Sequence, residues 1–241
     1  VVAENILNGC GVSLSNPLTS ECIPHFGGNH GPGYPAFISF IWSLSNHSDI
    51  AVRITQAFLY SISCLWLCYG FFNLTHNKKL AILLGLIFAF SPLTVAWPRY
   101  VQTETLALAC SIWVITEILL SISYKKIRIL TISLALICAT WIRLDNILLC
   151  VPVAVATFYI HGFKKGMNKG IIMCLLLSST WITWTARNIY VELPNLIPGI
   201  VIHDGSRAPM GYLSWLKTWI TNEYERPGAL WTVNRQNYNL I

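Results

Sequence analysis

Six long apolar stretches, at about residues 50–75, 79–97, 103–122, 127–143, 145–161 and 169–187, restrict this 241-residue chain to one environment. A helix needs roughly 20 predominantly apolar residues to cross the hydrocarbon core of a bilayer, and several of these stretches, at 17–20 residues, meet the short end of that requirement. Lipid offers no partner to a backbone N–H or C=O, so segments of this composition satisfy their own backbone as helices. Charged residues make up 11% of the chain, against about 25% in soluble domains. The predicted fold is therefore an all-α integral membrane protein with about six transmembrane helices. Ten Trp and ten Tyr suit a protein with two membrane–water interfaces.

The stretch His30-Gly31-Pro32-Gly33-Tyr34-Pro35-Ala36-Phe37 breaks this pattern. Two glycines and two prolines make a stiff, sharply turning entry that no helix interior tolerates. After Pro35, a good first helical residue, the apolar run is about half the length of a span. The expected element is a short helix over 34–46 that lies along the membrane surface and floors a site.

Sidedness comes from the basic residues. Segments 76–79, 124–128 and 161–169 hold eight Lys and Arg and no acid, so by the positive-inside rule they face the cytoplasm. The net charge of +6 is thus an orientation signal and implies no nucleic-acid partner. Span 50–75 then enters from outside, and residues 1–49 stay outside without a crossing. The predicted organisation is an extracytoplasmic loop over 1–49, a six-helix region over 50–187, and an extracytoplasmic segment over 188–241. A chain that starts without Met and stops mid-segment is expected to be a piece of a longer protein.

This arrangement gathers His30, Tyr34, Arg99, Glu104, Arg143, Asp145, Arg187 and Asn188 at the outer ends of spans or in outer segments. Ionisable groups at membrane depth are costly and mark sites. Glu104 opens a span, where the helix dipole favours a carboxylate and Thr103 can cap; it can also aim into an outer cavity as a metal ligand or as an acceptor for substrate hydroxyls. Arg99 and Arg187 either grip a phosphate through paired hydrogen bonds or reach headgroups. Arg143 and Asp145 are close enough in sequence to pair with each other. His30 and His203 are candidate ligands of a divalent metal. Glu117, the one acid within a span, is expected to pair or to reach toward water. The aromatic residues of 212–231, with helical apolar spacing over 213–220, fit an amphipathic helix on the membrane face or a platform for a sugar ring.

Eight cysteines show no metal-ligand spacing. Cys64, Cys68, Cys110, Cys138, Cys150 and Cys174 read as small core residues. Cys10 and Cys22 can form a disulfide if their segment is extracytoplasmic.

The ordered set GPGYPAF (31–37), AVRITQA (51–57), SPLTVAWPRYVQTETL (91–106), TWIRLDNILL (140–149) and WTARN (184–188) resembles the GT-C membrane glycosyltransferases, in particular the bacterial protein O-mannosyltransferase and aminoarabinose lipid A transferase group (glycosyltransferase family 39-like). The resemblance implies an enzyme of the cell membrane that moves a hexosyl or pentosyl unit from a polyprenyl-phosphate donor to a lipid, glycan or protein acceptor at the extracytoplasmic face, with inversion. It makes 34–46 a juxtamembrane helix of the first outer loop and Glu104 a second acidic position of the active site. The segment 3–9 resembles the stretch just after that family's catalytic Asp, which would precede Val1. His30 stands where some relatives place an acidic metal ligand, and Gly31 stands where they place a Lys. Arg99, Arg143 and Arg187 become the candidates for the donor phosphate. The rival classes are a multi-span transporter subunit, which tends to place polar groups near the midplane, and a non-catalytic membrane assembly protein.

Overall fold

The computed structural model describes residues 2–15, 22–24, 31–91 and 97–192. The chain divides into units 1–184 and 185–241. In the first, α1 (Val2–Leu7) is followed by an antiparallel pair, β1 (Ser13–Ser15) and β2 (Cys22–Pro24), in which Leu14 faces Ile23. Then come α2 (Gly33–Ser45), α3 (Asp49–Thr75), α4 (Lys78–Ala89), a 3-10 turn (Trp97–Arg99), α5 (Thr103–Ser123) and α6 (Ile129–Ile142). A second 3-10 turn (Leu144–Leu149) leads into α7 (Cys150–Glu192). Of the unit 185–241, the described residues are 185–192, the last turns of that helix.

The helical membrane class is as expected, and among the described residues three helical segments are long and apolar enough to cross a bilayer: Asp49–Thr75, Thr103–Ser123 and Leu144–Arg187, the last including the break at Gly162. Two expected spans are shorter. The helix within 79–97 ends at Ala89, after 12 residues, and that within 127–143 has 14 residues. At 1.5 Å per residue these rise only about 20 Å, against a core of about 30 Å. The expected spans 145–161 and 169–187 are two helices on either side of Gly162, whose φ of 70° and ψ of 172° no helix contains. Gly166 lies against Phe158, and Val153, Ala156 and Met173 share one buried cluster, so the second helix folds back along the first. The turn expected over 161–169 narrows to Gly162, and Lys164, Lys165 and Lys169 fall in the first turns of the second helix.

The helix starts are encoded locally. The Ser48 side chain accepts from the Ala51 N–H at 3.3 Å to cap α3, and the Asn77 Oδ1 accepts from the Leu80 N–H at 3.1 Å to cap α4. Between α2 and α3, Asn46 and His47 are both left-handed, with φ of 52° and 62°, and this makes the tight elbow.

In lipid, helix association rests on close packing more than on water exclusion, so small residues sit at the contacts. Gly70 of α3 lies against Thr116 and Leu119 of α5, and Gly85 of α4 lies against Cys68 of α3. Ala107, Ala109, Ala135 and Ala139 are buried. Buried threonines satisfy themselves: the hydroxyls of Thr116, Thr140 and Thr157 each donate to the carbonyl four residues back at 2.7–2.9 Å.

The hydrogen bonds fix directions. Gln56 near the start of α3 meets Gln102 at the start of α5, and the Ser123 hydroxyl at the end of α5 donates to the Asn73 carbonyl near the end of α3 at 2.7 Å. The two helices therefore run in parallel. The Tyr60 hydroxyl donates to the Phe88 carbonyl at 2.7 Å, so α4 returns antiparallel. One end of this bundle carries Asp49, Arg53, Arg99, Glu104, Arg143 and Asp145 and is called the acidic end for its three carboxylates; the other, basic end carries Lys78, Lys79, Lys125, Lys126 and Arg128.

Cys10 is disulfide-bonded, and its expected partner, Cys22, has its side chain outside the described residues. The six other cysteines are free thiols, with Cys138 and Cys174 on helix surfaces rather than in the core. The aromatic segment 212–231 also lies outside the described residues.

Candidate functional site

At the acidic end, three helix termini and α2 converge. The chain enters α2 through Gly31 and Gly33, which lie against the main chain of Trp141 near the end of α6. A methyl group at Gly31 would overlap the Trp141 carbonyl, and one at Gly33 would stand 2.9 Å from it. Here the absence of a side chain lets α2 seat directly on α6.

Tyr34, in the first turn of α2, is buried. Its hydroxyl accepts a 2.9 Å hydrogen bond from Nε2 of Gln56, which also donates at 2.9 Å to the carbonyl of Gln102. One fully buried amide on α3 thus ties α2 to the N-cap of α5. Burial pushes the Tyr34 phenol well above its ordinary value; the bond from Gln56 opposes that shift, and the charges of Glu104 and Asp49 add to it. Tyr34 is therefore a neutral hydrogen-bonding group at any physiological pH.

Gln56 is absent from the sequence-derived site residues. A single amide in the second turn of an apolar span reads as tolerated polarity. The signal was nonetheless present, because a side chain with two donors and an acceptor does not sit in a bilayer span without partners.

Next to this tie stands an ion triad. Arg143 donates from one terminal nitrogen to Oε1 of Glu104 at 2.7 Å and from the other to Oδ2 of Asp145 at 2.9 Å. All three side chains are about one-third exposed, at 29%, 32% and 39% for Arg143, Glu104 and Asp145. The cluster therefore sits at a wet rim and not in the bundle core. The pairing of Arg143 with Asp145 is as the sequence allowed; the second partner, Glu104, is 39 residues away and was not legible. Thr103 is not the cap of α5. Gln102 takes that position without a side-chain cap bond, and the Thr103 hydroxyl turns to Oε2 of Glu104 at 3.3 Å. Asn146 fastens the turn after α6: its Nδ2 donates to the Ala139 carbonyl at 2.9 Å, and its Oδ1 accepts from Ser111 of α5 at 3.3 Å.

Arg99 ends the 3-10 turn before α5, exposed at the same end, and makes no ion pair among the described residues. Tyr34, Glu104, Arg143 and Asp145 are thus brought to one end of the bundle, with Arg99 beside them in the chain. His30, His203 and the side chain of Asn188 lie outside the described residues, and Arg187 belongs to the unit 185–241. Among the described residues there is no group of three or more His, Cys, Asp or Glu side chains that could hold a metal ion. The carboxylates of Glu104 and Asp145 are bridged by the Arg143 guanidinium.

Glu117 is paired, as expected of it. Arg128 reaches its Oε2 at 3.1 Å, and the Thr131 hydroxyl donates to the same oxygen at 2.7 Å. This buried acid belongs to the basic end and ties the turn between α5 and α6 to α5.

A family model described as dolichyl-phosphate-mannose-protein mannosyltransferase matches residues 29–184, which include α2, the triad and the Gln56 tie. The chain matches no curated protein and no solved structure.

Proposed function

The chain belongs to the dolichyl-phosphate-mannose-protein mannosyltransferase family of membrane glycosyltransferases, and on that premise we propose that its acidic end receives a polyprenyl-phosphate-linked sugar at the extracytoplasmic face of the cell membrane. The observation that carries this reading is the Glu104–Arg143–Asp145 triad at the rim where α2 seats on α6. A charged, half-wet cluster at the end of a helix bundle suits a reaction between a lipid-borne sugar and an acceptor that arrives from water.

The reaction that fits is a direct displacement. An acceptor oxygen attacks the anomeric carbon as the bond from that carbon to the phosphate oxygen breaks. The bond electrons leave with the polyprenyl phosphate, the acceptor's proton passes to a carboxylate, and the configuration at carbon inverts. Glu104 contributes Oε2, whose one described contact is the long bond from Thr103, as an acceptor for a sugar or acceptor hydroxyl. Arg99, exposed and with no carboxylate partner among the described residues, is the cation assigned to the phosphate in this reading, because a guanidinium fork matches phosphate oxygens. Tyr34, buried and neutral, sits behind this rim and holds α2 to α3 through Gln56.

The test uses the protein expressed from its complete reading frame and reconstituted into liposomes. It is supplied with polyprenyl-phosphate mannose or with a nucleotide-linked mannose, together with an extracytoplasmic protein fraction or a lipid fraction. The expected result is release of free polyprenyl phosphate and labelling of one acceptor fraction from the lipid-linked donor only. Transfer from the nucleotide sugar alone would overturn the reading.

A further inference from the structure

We infer that Arg143 and Asp145 are positioning residues that hold Glu104 in place, and that Arg143 is not a ligand of the donor phosphate. This rests on the proposed function, in which Glu104 meets substrate.

The guanidinium is already committed. Its two terminal nitrogens serve two different carboxylates at 2.7 and 2.9 Å, both charge-assisted bonds. A phosphate arriving at Arg143 would displace one of these and leave a carboxylate unpaired beside a second anion. The net charge of the triad is negative, so its field opposes a phosphate at that spot. Arg99, by contrast, brings an exposed positive charge without that cost.

The segment that bears Arg143 is also fastened for holding. Its backbone is extended, with φ of −142° and ψ of 125°, and its N–H still donates to the Ala139 carbonyl at 3.0 Å as the cap of α6. Its carbonyl accepts from the Asn146 N–H at 3.1 Å. Asn146 in turn reaches back to Ala139 and receives the Ser111 hydroxyl of α5. Two links therefore join this turn to α5: Arg143 to Glu104 in the first turn, and Asn146 to Ser111 two turns on. A carboxylate held between a rigid turn and the positive end of a 21-residue helix is pre-oriented. Misplacement by about 1 Å can cost on the order of 100-fold in rate. Asp145 takes the second nitrogen and so fixes the plane of the fork.

The test is steady-state transfer from polyprenyl-phosphate mannose by the reconstituted protein, with kcat and the donor KM resolved for E104Q, R143Q, R143K and D145N. R143Q is expected to lower kcat by about 100-fold with the donor KM within about threefold, the pattern of a lost orienting contact. R143K, which keeps the charge but not the fork, recovers part of kcat. D145N lowers kcat by less than about tenfold and leaves the donor KM unchanged, because the bond to Glu104 survives. A tenfold rise in donor KM for R143Q with kcat kept, or a lower donor KM for D145N, would show that the guanidinium serves the phosphate and would overturn the inference alone. Unchanged transfer by E104Q would overturn both this inference and the role given to Glu104. Should R143Q fail to fold, R143K and D145N carry the same comparison.

Discussion

Glu104 and Arg143 meet at 2.7 Å although 39 residues separate them, and their contact joins the first turn of α5 to the end of α6. Because both side chains are about one-third exposed, water screens the pair, and its contribution to stability is expected to stay below about 1 kcal/mol. A double-mutant cycle of E104Q and R143Q, followed by thermal unfolding in detergent, should return a coupling of that size. The same variants should lose far more transition-state stabilisation than stability. A coupling of several kcal/mol in unfolding would make the pair a structural clamp instead.

The seat of α2 predicts a steep response at one glycine and a mild one at another. G31A forces a methyl into the Trp141 carbonyl, so α2 has to lift from α6. Overpacking of this kind costs about 1–3 kcal/mol, and transfer should fall with it. G170A meets open space on ordinary helical backbone, and is expected to be neutral or to stabilise by up to about 1 kcal/mol. The ranking of the two melting temperatures checks this.

Replacing Gln56 with Leu strips Tyr34 and the Gln102 carbonyl of their donor within a dry core, and should destabilise by about 1–3 kcal/mol. The same tie has an alkaline signature. The folded-state pKa of Tyr34 is raised by burial, so its contribution to stability is complete below the ordinary tyrosine value of about 10 and is lost as pH rises beyond it, because the unfolded chain gives up that proton first. Unfolding measured between about pH 9 and 11 should therefore steepen with pH in the wild type. Y34F should be flatter by up to about 1.4 kcal/mol per pH unit. Equal slopes would mean that the phenol is not held neutral.

At the basic end, Glu117 is buried while Arg128 keeps about one-third of its side chain exposed. R128A leaves the carboxylate with Thr131 as its remaining described partner. The expected loss is about 2 kcal/mol, below the roughly 3–5 kcal/mol of a fully buried pair because Arg128 is partly wet. Adding E117Q to R128A should recover part of that loss, since the uncompensated charge is gone. Unfolding of the two single variants and the double variant decides this.

Much of this architecture was legible because composition and local chemistry act over short distances. Asp49–Thr75 and Thr103–Ser123 match their predicted spans to within a residue or two, and the Gly-Pro entry marked the start of α2. The shortness of α4 and α6 was not legible, since an apolar run bounds a helix without fixing its length. The turn between the last two helices is narrower than the expected 161–169 for a related reason: a cluster of lysines reads as a loop, yet lysine is a good helix former and the turn contracts to Gly162. Residues 13–15 and 22–24 are too few to show alternation, so the small pair β1–β2 went unseen. At the site, each charged residue was identifiable by its cost in a membrane. The partnership of Glu104 with Arg143 and the reach of Gln56 depend on which helix ends meet, which spacing along the chain does not contain.

Everything proposed for the site requires the acidic and basic ends of the bundle to face opposite sides of the membrane, with the triad outward. Single cysteines at exposed Tyr100 and exposed Lys125, in a background with the other free thiols replaced, can be labelled with a membrane-impermeant maleimide on intact cells and again after permeabilisation. The prediction is that Y100C labels in intact cells and K125C only after permeabilisation. Labelling of both from the same side, or the reverse order, would contradict that arrangement.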